Sequence, residues 1–113
     1  MDKEEVFKYL DTSKVLDEVA KERSRQDEKW GIQNHLPIEY CAILGEEVGE
    51  VNKAALEAHF GYAYNHGEFP AKTELSKSLH LEDYRKELIQ VAAVAVAMVE
   101  CYDRNKDLII SKN

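Results

Sequence analysis

The sequence predicts an all-α fold, a small helical bundle whose helices are completed by oligomerisation. Three observations predict it. Glycine (5) and proline (2) are scarce among 113 residues, so few points interrupt a helix. Apolar residues recur mostly at three- and four-residue spacing, the helical period. Residues 88–99, LIQVAAVAVAMV, contain a single polar side chain, Gln90, so the last helix is apolar most of the way round and must be covered on several sides. A chain of this length supplies few covering helices, which predicts a homodimer or homotetramer.

The elements follow in order. Residues 2–10 form a short helix, and Thr12 and Ser13 cap a second that runs to about residue 28. Trp30 and Gly31 break it. Residues 31–36 read as loop, and Pro37 suits the first turn of a third helix that continues to about residue 59. Residues 61–79, with Gly67, Pro70 and several Ser, Thr and Asn, form a long loop with room for one short helical turn. A last helix covers about 81–104, leaving 105–113 as a tail whose Leu108, Ile109 and Ile110 are free to dock. The whole of 1–113 is one domain, since the length leaves no room for a second core.

The apolar share of 44% is too high for a disordered chain. Fifteen Lys and Arg against 22 Asp and Glu give a net charge of −7, which argues against nucleic acid as a partner. The apolar run 91–99 falls far short of the roughly 18 residues that span a bilayer, and the first residues hold no apolar export segment, so no membrane is expected. Cys41 and Cys101 lie in apolar helical sequence with no Cys or His at metal-ligand spacing, the pattern of a reduced, cytoplasmic protein.

The chemistry is concentrated in carboxylates. Glu46, Glu47 and Glu50 sit on the third helix, where an arbitrary cluster of this kind is a solvated face. Its position argues otherwise. At about 100° per residue, Tyr40, Ile43, Leu44, Val48, Val51 and Ala55 form an apolar stripe, with Glu47 near its middle and Glu50 and Glu46 on its flank. An inward carboxylate must be paired, protonated or bound to a cation. On the last helix Glu87 and Gln90 share a face with Asp83 one turn earlier and with Val94 and Met98 beyond. Antiparallel packing would gather Glu46, Glu47, Glu50, Glu87 and Asp83, and the nearby bases Lys53, Arg85 and Lys86 are too few to neutralise them. Oxygen-only ligands suit Mg²⁺, or Mn²⁺, better than Zn²⁺, and carboxylate-held Mg²⁺ completes its shell with water and phosphate oxygens.

These residues resemble the MazG-like all-α nucleoside triphosphate pyrophosphohydrolases, whose signature is EExxE on one helix and ExxD on the next. Glu46-Glu47-Val48-Gly49-Glu50 matches the first half in full. Glu87-Leu88-Ile89-Gln90 keeps the Glu and places Gln90 where the family has Asp. The stretch Glu22-Arg23-Ser24-Arg25-Gln26-Asp27-Glu28-Lys29-Trp30-Gly31 and the segment YRKELIQVAAVAVA at 84–97 are similar to the phage and prophage branch of that family. The resemblance implies hydrolysis of a nucleoside triphosphate, often a deoxynucleotide, to the monophosphate and pyrophosphate. Glu47, Glu50 and Glu87 would be metal ligands, and Glu46 a ligand or the base that orients water. Gln90 would be a weak ligand that adds no charge, and helical spacing lets Asp83 replace part of the missing charge. A non-catalytic bundle that binds nucleotide or metal is the alternative.

On the second helix the stripe Val15, Leu16, Val19 continues to Arg23 and Gln26, with Trp30 just beyond. Trp30 either caps the core or stacks on a base. Gln26 offers a donor and an acceptor to a base edge, Lys29 and Lys53 could meet phosphates, and Asn34 and His35 follow in the loop. Arg23 reads as structural, paired with a member of the carboxylate cluster. His59, His66 and His80 suggest no metal site. Ala42, Gly45 and Gly49 make a smooth strip, read as a close helix–helix approach.

Overall fold

The computed structural model describes residues 1–60 and 74–112, with side chains given for all of these except 74–77 and 112. Three helices and no strand are found among the described residues: α1 (Lys3–Trp30), α2 (Pro37–Phe60) and α3 (Glu74–Lys112). The all-α class is as the sequence predicts.

Helix α1 starts where Asp2 accepts a hydrogen bond from the Glu5 amide at 2.9 Å, an N-cap that satisfies one of the free donors of the first turn. It ends at Gly31, whose φ of 74° and ψ of 172° lie in a region open only to glycine. The division expected near Thr12 is absent, and the two predicted helices are one. Thr12 and Ser13 each cost a helix less than about 0.7 kcal/mol, and no glycine or proline stands beside them to stop it.

Helix α2 begins as expected at Pro37. The Glu39 carboxylate accepts from the Leu36 amide at 2.8 Å, half of a capping box. Helix α3 corrects both predicted ends. It starts at Glu74, inside the expected loop, while residues 61–73, with His66, lie outside the described residues. It also continues through the expected tail after a kink at Asn105 (φ −120°, ψ 21°). There the Asn105 amide donates to the Cys101 carbonyl at 3.0 Å and to Asn34 Oδ1 at 2.8 Å. The kink turns Ile109 back onto the core, where it is 7% exposed.

Facing residues set the topology. Tyr40 packs with Ala97 and Cys101 in the core, Gln90 meets Glu47, and His80 Nδ1 lies 3.5 Å from Glu57, so α2 and α3 run antiparallel. Helix α1 runs in the same sense as α3, joined by Glu18–Arg85 and Arg23–Glu100. It packs on α3 and not on α2. The space between α1 and α2, both leaning on α3, becomes the site described below.

The buried face of α2 is Tyr40, Ala54 and Ala58 with Ile43, Leu44, Glu47 and Val51 half-buried. Val48 and Ala55, expected inward, are exposed, because the face follows a seven-residue repeat that Ala54 and Ala58 continue. On α1 only Val19 is buried, and the expected inward residues Val15 and Leu16 are 43% and 59% exposed. The strip Ala42, Gly45, Gly49 is exposed, and a Cβ built on either glycine would meet nothing within 4 Å. Among the described residues it is not a contact between helices. No helix among the described residues is long and apolar enough to cross a membrane.

Candidate functional site

A cavity of about 260 Å³ opens between the C-terminal half of α1, α2 and the middle of α3. Its inner wall is the α2–α3 seam, where Glu47 and Gln90 face each other with Ile43, Val94 and Ala97 beside them. Its outer wall is α1, contributing Glu22, Gln26, Lys29 and Trp30, and its end is closed by Gln33 and Tyr40. The linker is fixed rather than loose at this end. Tyr40 Oη donates to the Gln33 carbonyl at 3.3 Å, and Arg104 donates to the Gln33 carbonyl and to Asn34 Oδ1, each at 3.1 Å.

Glu47 points inward as the sequence predicts. Burial pushes its carboxyl above the ordinary range, and the neighbouring carboxylates of Glu87, Glu50, Glu46 and Glu22 push it further, in that order. No ion pair reaches Glu47 among the described residues. Its partner is neutral: Gln90, oriented with its nitrogen toward the carboxylates, donates to Glu47 Oε2 at 3.2 Å and to Glu87 Oε2 at 3.0 Å. One amide thus bridges the acidic residues of the two helices. An aspartate at position 90 could only add a further negative charge there.

The predicted site residues therefore divide. Glu47, Glu87 and Gln90 are half-buried and meet, while Glu46 and Glu50 are exposed on the flank and act on Glu47 through space. Asp83 is exposed and does not rank among the four carboxylates acting on Glu47; Tyr84 is half-buried in its stead. Among the described residues, no group of three or more His, Cys, Asp or Glu is drawn together as ready metal ligands. Gln26, Lys29 and Trp30 line the cavity, with Lys29 Nζ 4.7 Å above the Trp30 ring. Lys53 and His35 do not line it. His35 stacks edge-on against Tyr40, at 4.9 Å between ring centres, and faces a separate apolar crevice with Met98, Cys101 and Ile109.

Arg23 is structural, but its partners are not the cluster. It donates to Glu100, Gln26 and Asp27 at 2.9–3.2 Å and leaves a side chain 13% exposed. Sequence reasoning missed Glu22, Arg25 and Gln33. Glu22 is 14% exposed and accepts from Arg25 at 2.6 and 2.9 Å and from Gln26 at 3.3 Å, which holds its carboxyl below the usual range. The signal was available: Glu22 lies three residues beyond Val19 and one turn before Gln26, on the face that carries the stripe inward.

Comparison of the chain with family models, with curated proteins and with solved structures found no match.

Proposed function

We propose that this chain is a Mg²⁺-dependent nucleoside triphosphate pyrophosphohydrolase of the MazG-like kind, converting a (deoxy)nucleoside triphosphate to its monophosphate and pyrophosphate. The observation that carries the reading is Glu47, a carboxyl raised by burial and by four other carboxylates and without an ion pair among the described residues, at the wall of a cavity of about 260 Å³. Such crowding is a standing cost unless function requires it. The oxygen-only donor set fits Mg²⁺, with Mn²⁺ as the alternative.

Glu47, Glu50 and Glu87 would hold the ion with Glu46 beside them, Gln90 contributing only its amide oxygen after rotation. Bound there, Mg²⁺ supplies positive charge to phosphoryl oxygens and acidifies water. The chain's own residues do the rest. Glu46, exposed on the flank, is the base that takes the proton of the water attacking the α-phosphorus, as the bond to the pyrophosphate leaving group breaks. Trp30 offers a ring face at the cavity mouth, and the Gln26 and Gln33 amides offer donors and acceptors to a base edge. Lys29 brings a positive charge to the same wall.

A second reading, nucleotide binding without turnover, is favoured by one observation. Gln90 already ties Glu47 to Glu87, so the carboxylates are partly satisfied without metal. Incubation with each common NTP and dNTP plus Mg²⁺, with Glu50→Gln as control, separates the two. Monophosphate and pyrophosphate, absent in the variant, support hydrolysis. Saturable binding with no product supports the second reading, and diphosphate with phosphate would overturn both.

The same reading includes self-association as a homodimer or homotetramer, supported by the uncovered apolar surface argued in the Discussion. Both cysteines are free thiols, which fits a reducing cytoplasm.

A further inference from the structure

On the other side of Glu22 and Gln90 from the cavity, α1 and α3 enclose a second groove of about 570 Å³. Its walls carry Lys21, Arg25, Arg85 and Lys86, four of the fifteen Lys and Arg of a chain whose net charge is −7. Three carboxylates stand among them, Glu18, Glu22 and Glu82. Two are already engaged: Arg85 holds Glu18 through two hydrogen bonds, and Arg25 holds Glu22 through two more. Lys21 pairs with Asp17 at 3.1 Å in an exposed contact. Lys86 makes no ion pair among the described residues and acts on Glu22 only through space.

The groove and the cavity share Glu22, Arg25 and Gln90 as lining, so they meet at the residue that bridges the carboxylates. Lys86 lies one helical turn from Gln90, about 6 Å along α3. A ligand whose reacting phosphorus sat at Glu47 and whose chain ran from the cavity into the groove would have its continuing phosphates within reach of Lys86 and Arg25. Exposed ion pairs hold their partners weakly, and a guanidinium matches a phosphate as well as a carboxylate. Arg25 keeps Glu22, whose side chain is 14% exposed, through Nε and Nη2 and has its Nη1 donors to offer a phosphate.

We infer that the α1–α3 groove is the polyphosphate site of this protein, Lys86 and Arg25 contacting the β- and γ-phosphates and Lys21 and Arg85 supplying the surrounding positive field. The inference rests on the hydrolase reading, because it takes the α-phosphorus to lie at Glu47. It assigns the leaving pyrophosphate a binding place separate from the carboxylates.

Calorimetric titration of the intact protein with inorganic pyrophosphate, without divalent cation and at low salt, tests it independently of turnover. Saturable binding is expected, weakened at least tenfold in Lys86→Ala and more in Lys21→Ala/Lys86→Ala, recovered in Lys86→Arg, and undiminished in Glu50→Gln. All these positions are exposed, and circular dichroism of each variant checks that the helices are kept. Failure of pyrophosphate to bind, or equal binding by the lysine variants, overturns the groove assignment. The product assay distinguishes the two failures. Monophosphate formation with an unchanged KM in Lys86→Ala overturns the groove and leaves the hydrolase reading standing. Absence of any product with pyrophosphate bound through Lys86 overturns the hydrolase reading and with it the β- and γ-phosphate assignment.

Discussion

At Glu47, charge and burial oppose each other. Its folded-state pKa lies above the ordinary 4.5, so the native state binds this proton more tightly than the unfolded chain does. The ionised form is a penalty present at neutral pH, and the penalty is relieved as pH falls through the raised pKa toward 4.5. Glu22 works the other way. Its pKa is lowered by Arg25, so its contribution is present above 4.5 and is lost as pH falls through its folded value. Glu47→Gln is therefore expected to stabilise the metal-free protein at pH 7 by about 0.5–2 kcal/mol, an advantage that shrinks toward pH 4.5. On the proposed hydrolase reading, the same substitution would lower hydrolysis about 100-fold or more, since even residues behind a metal ligand carry 10–100-fold effects. Thermal melts from pH 4.5 to 7.5, with product assays at pH 7.5, check both; a variant less stable at every pH would refute the electrostatic account. Gln90→Asp tests what the amide at position 90 does for the proposed metal site. It removes the donor to Glu47 and Glu87 and adds a further negative charge to the cluster, so it should destabilise the metal-free protein by about 1–3 kcal/mol and tighten Mg²⁺ binding in a titration.

The elements are held by a few local devices, of which the six-residue connection from α1 to α2 matters most to the site. Gly31 must adopt φ 74° with ψ 172°, and although a Cβ there would touch nothing, the backbone state itself excludes one. Gly31→Ala should cost about 1–3 kcal/mol, read from urea unfolding, whereas Gly45→Ala in open helix should stabilise by about 1 kcal/mol. This contrast checks that Gly31 is required by its backbone state and Gly45 is not. Residue 31 was legible as a break because Trp30-Gly31 ends an amphipathic run, and Pro37 was legible as a helix start because its missing amide is harmless there. Glu47 was legible because Ile43, Leu44 and Val51, three and four residues away, are apolar. The absence of a break at Thr12 was not, since weak helix formers decide nothing without tertiary context. The helix beyond Asn105 was also hidden: it depends on Asn105 reaching Asn34 and Cys101, 71 and four residues away. His35 and Lys53 were assigned by nearness in sequence, but rotation about the helix axis and the Tyr40 contact carry them away from the cavity. Arg25 and Glu22 were missed because the pair looks like any exposed three-residue spacing until α3 is laid beside it.

At the scale of the molecule, this chain encloses too little. Its radius of gyration is 18.1 Å, against about 13 Å for a compact domain of this length. Its accessible surface is 8625 Å², against about 6,300 Å² for a monomer of its mass. Apolar side chains of two helices contribute to that surface. Along α3, Leu88, Ala95, Val99 and Tyr102 fall at the spacing of a helix–helix seam, and Leu88, Val99 and Tyr102 are 39%, 60% and 43% exposed. They lie on the side away from Ala93, Ala97 and Cys101, which face the core. The first half of α1 adds Val6, Phe7, Leu10 and Leu16, 40–59% exposed. Surfaces of this kind mark association, and on the proposed self-association further copies of the chain would cover them. Val99→Lys decides the point because its cost depends on what Val99 faces. On a monomer the change is within about 0.5 kcal/mol, as for other exposed positions; within a seam it buries an unpaired charge and drives the copies apart. Sedimentation velocity should give a wild-type mass of two or four chains and a monomeric Val99→Lys, and the wild-type Tm should rise with protein concentration while that of the variant does not. A wild type that sediments as 13.0 kDa with a concentration-independent Tm would mean that the exposed seam serves something other than self-association.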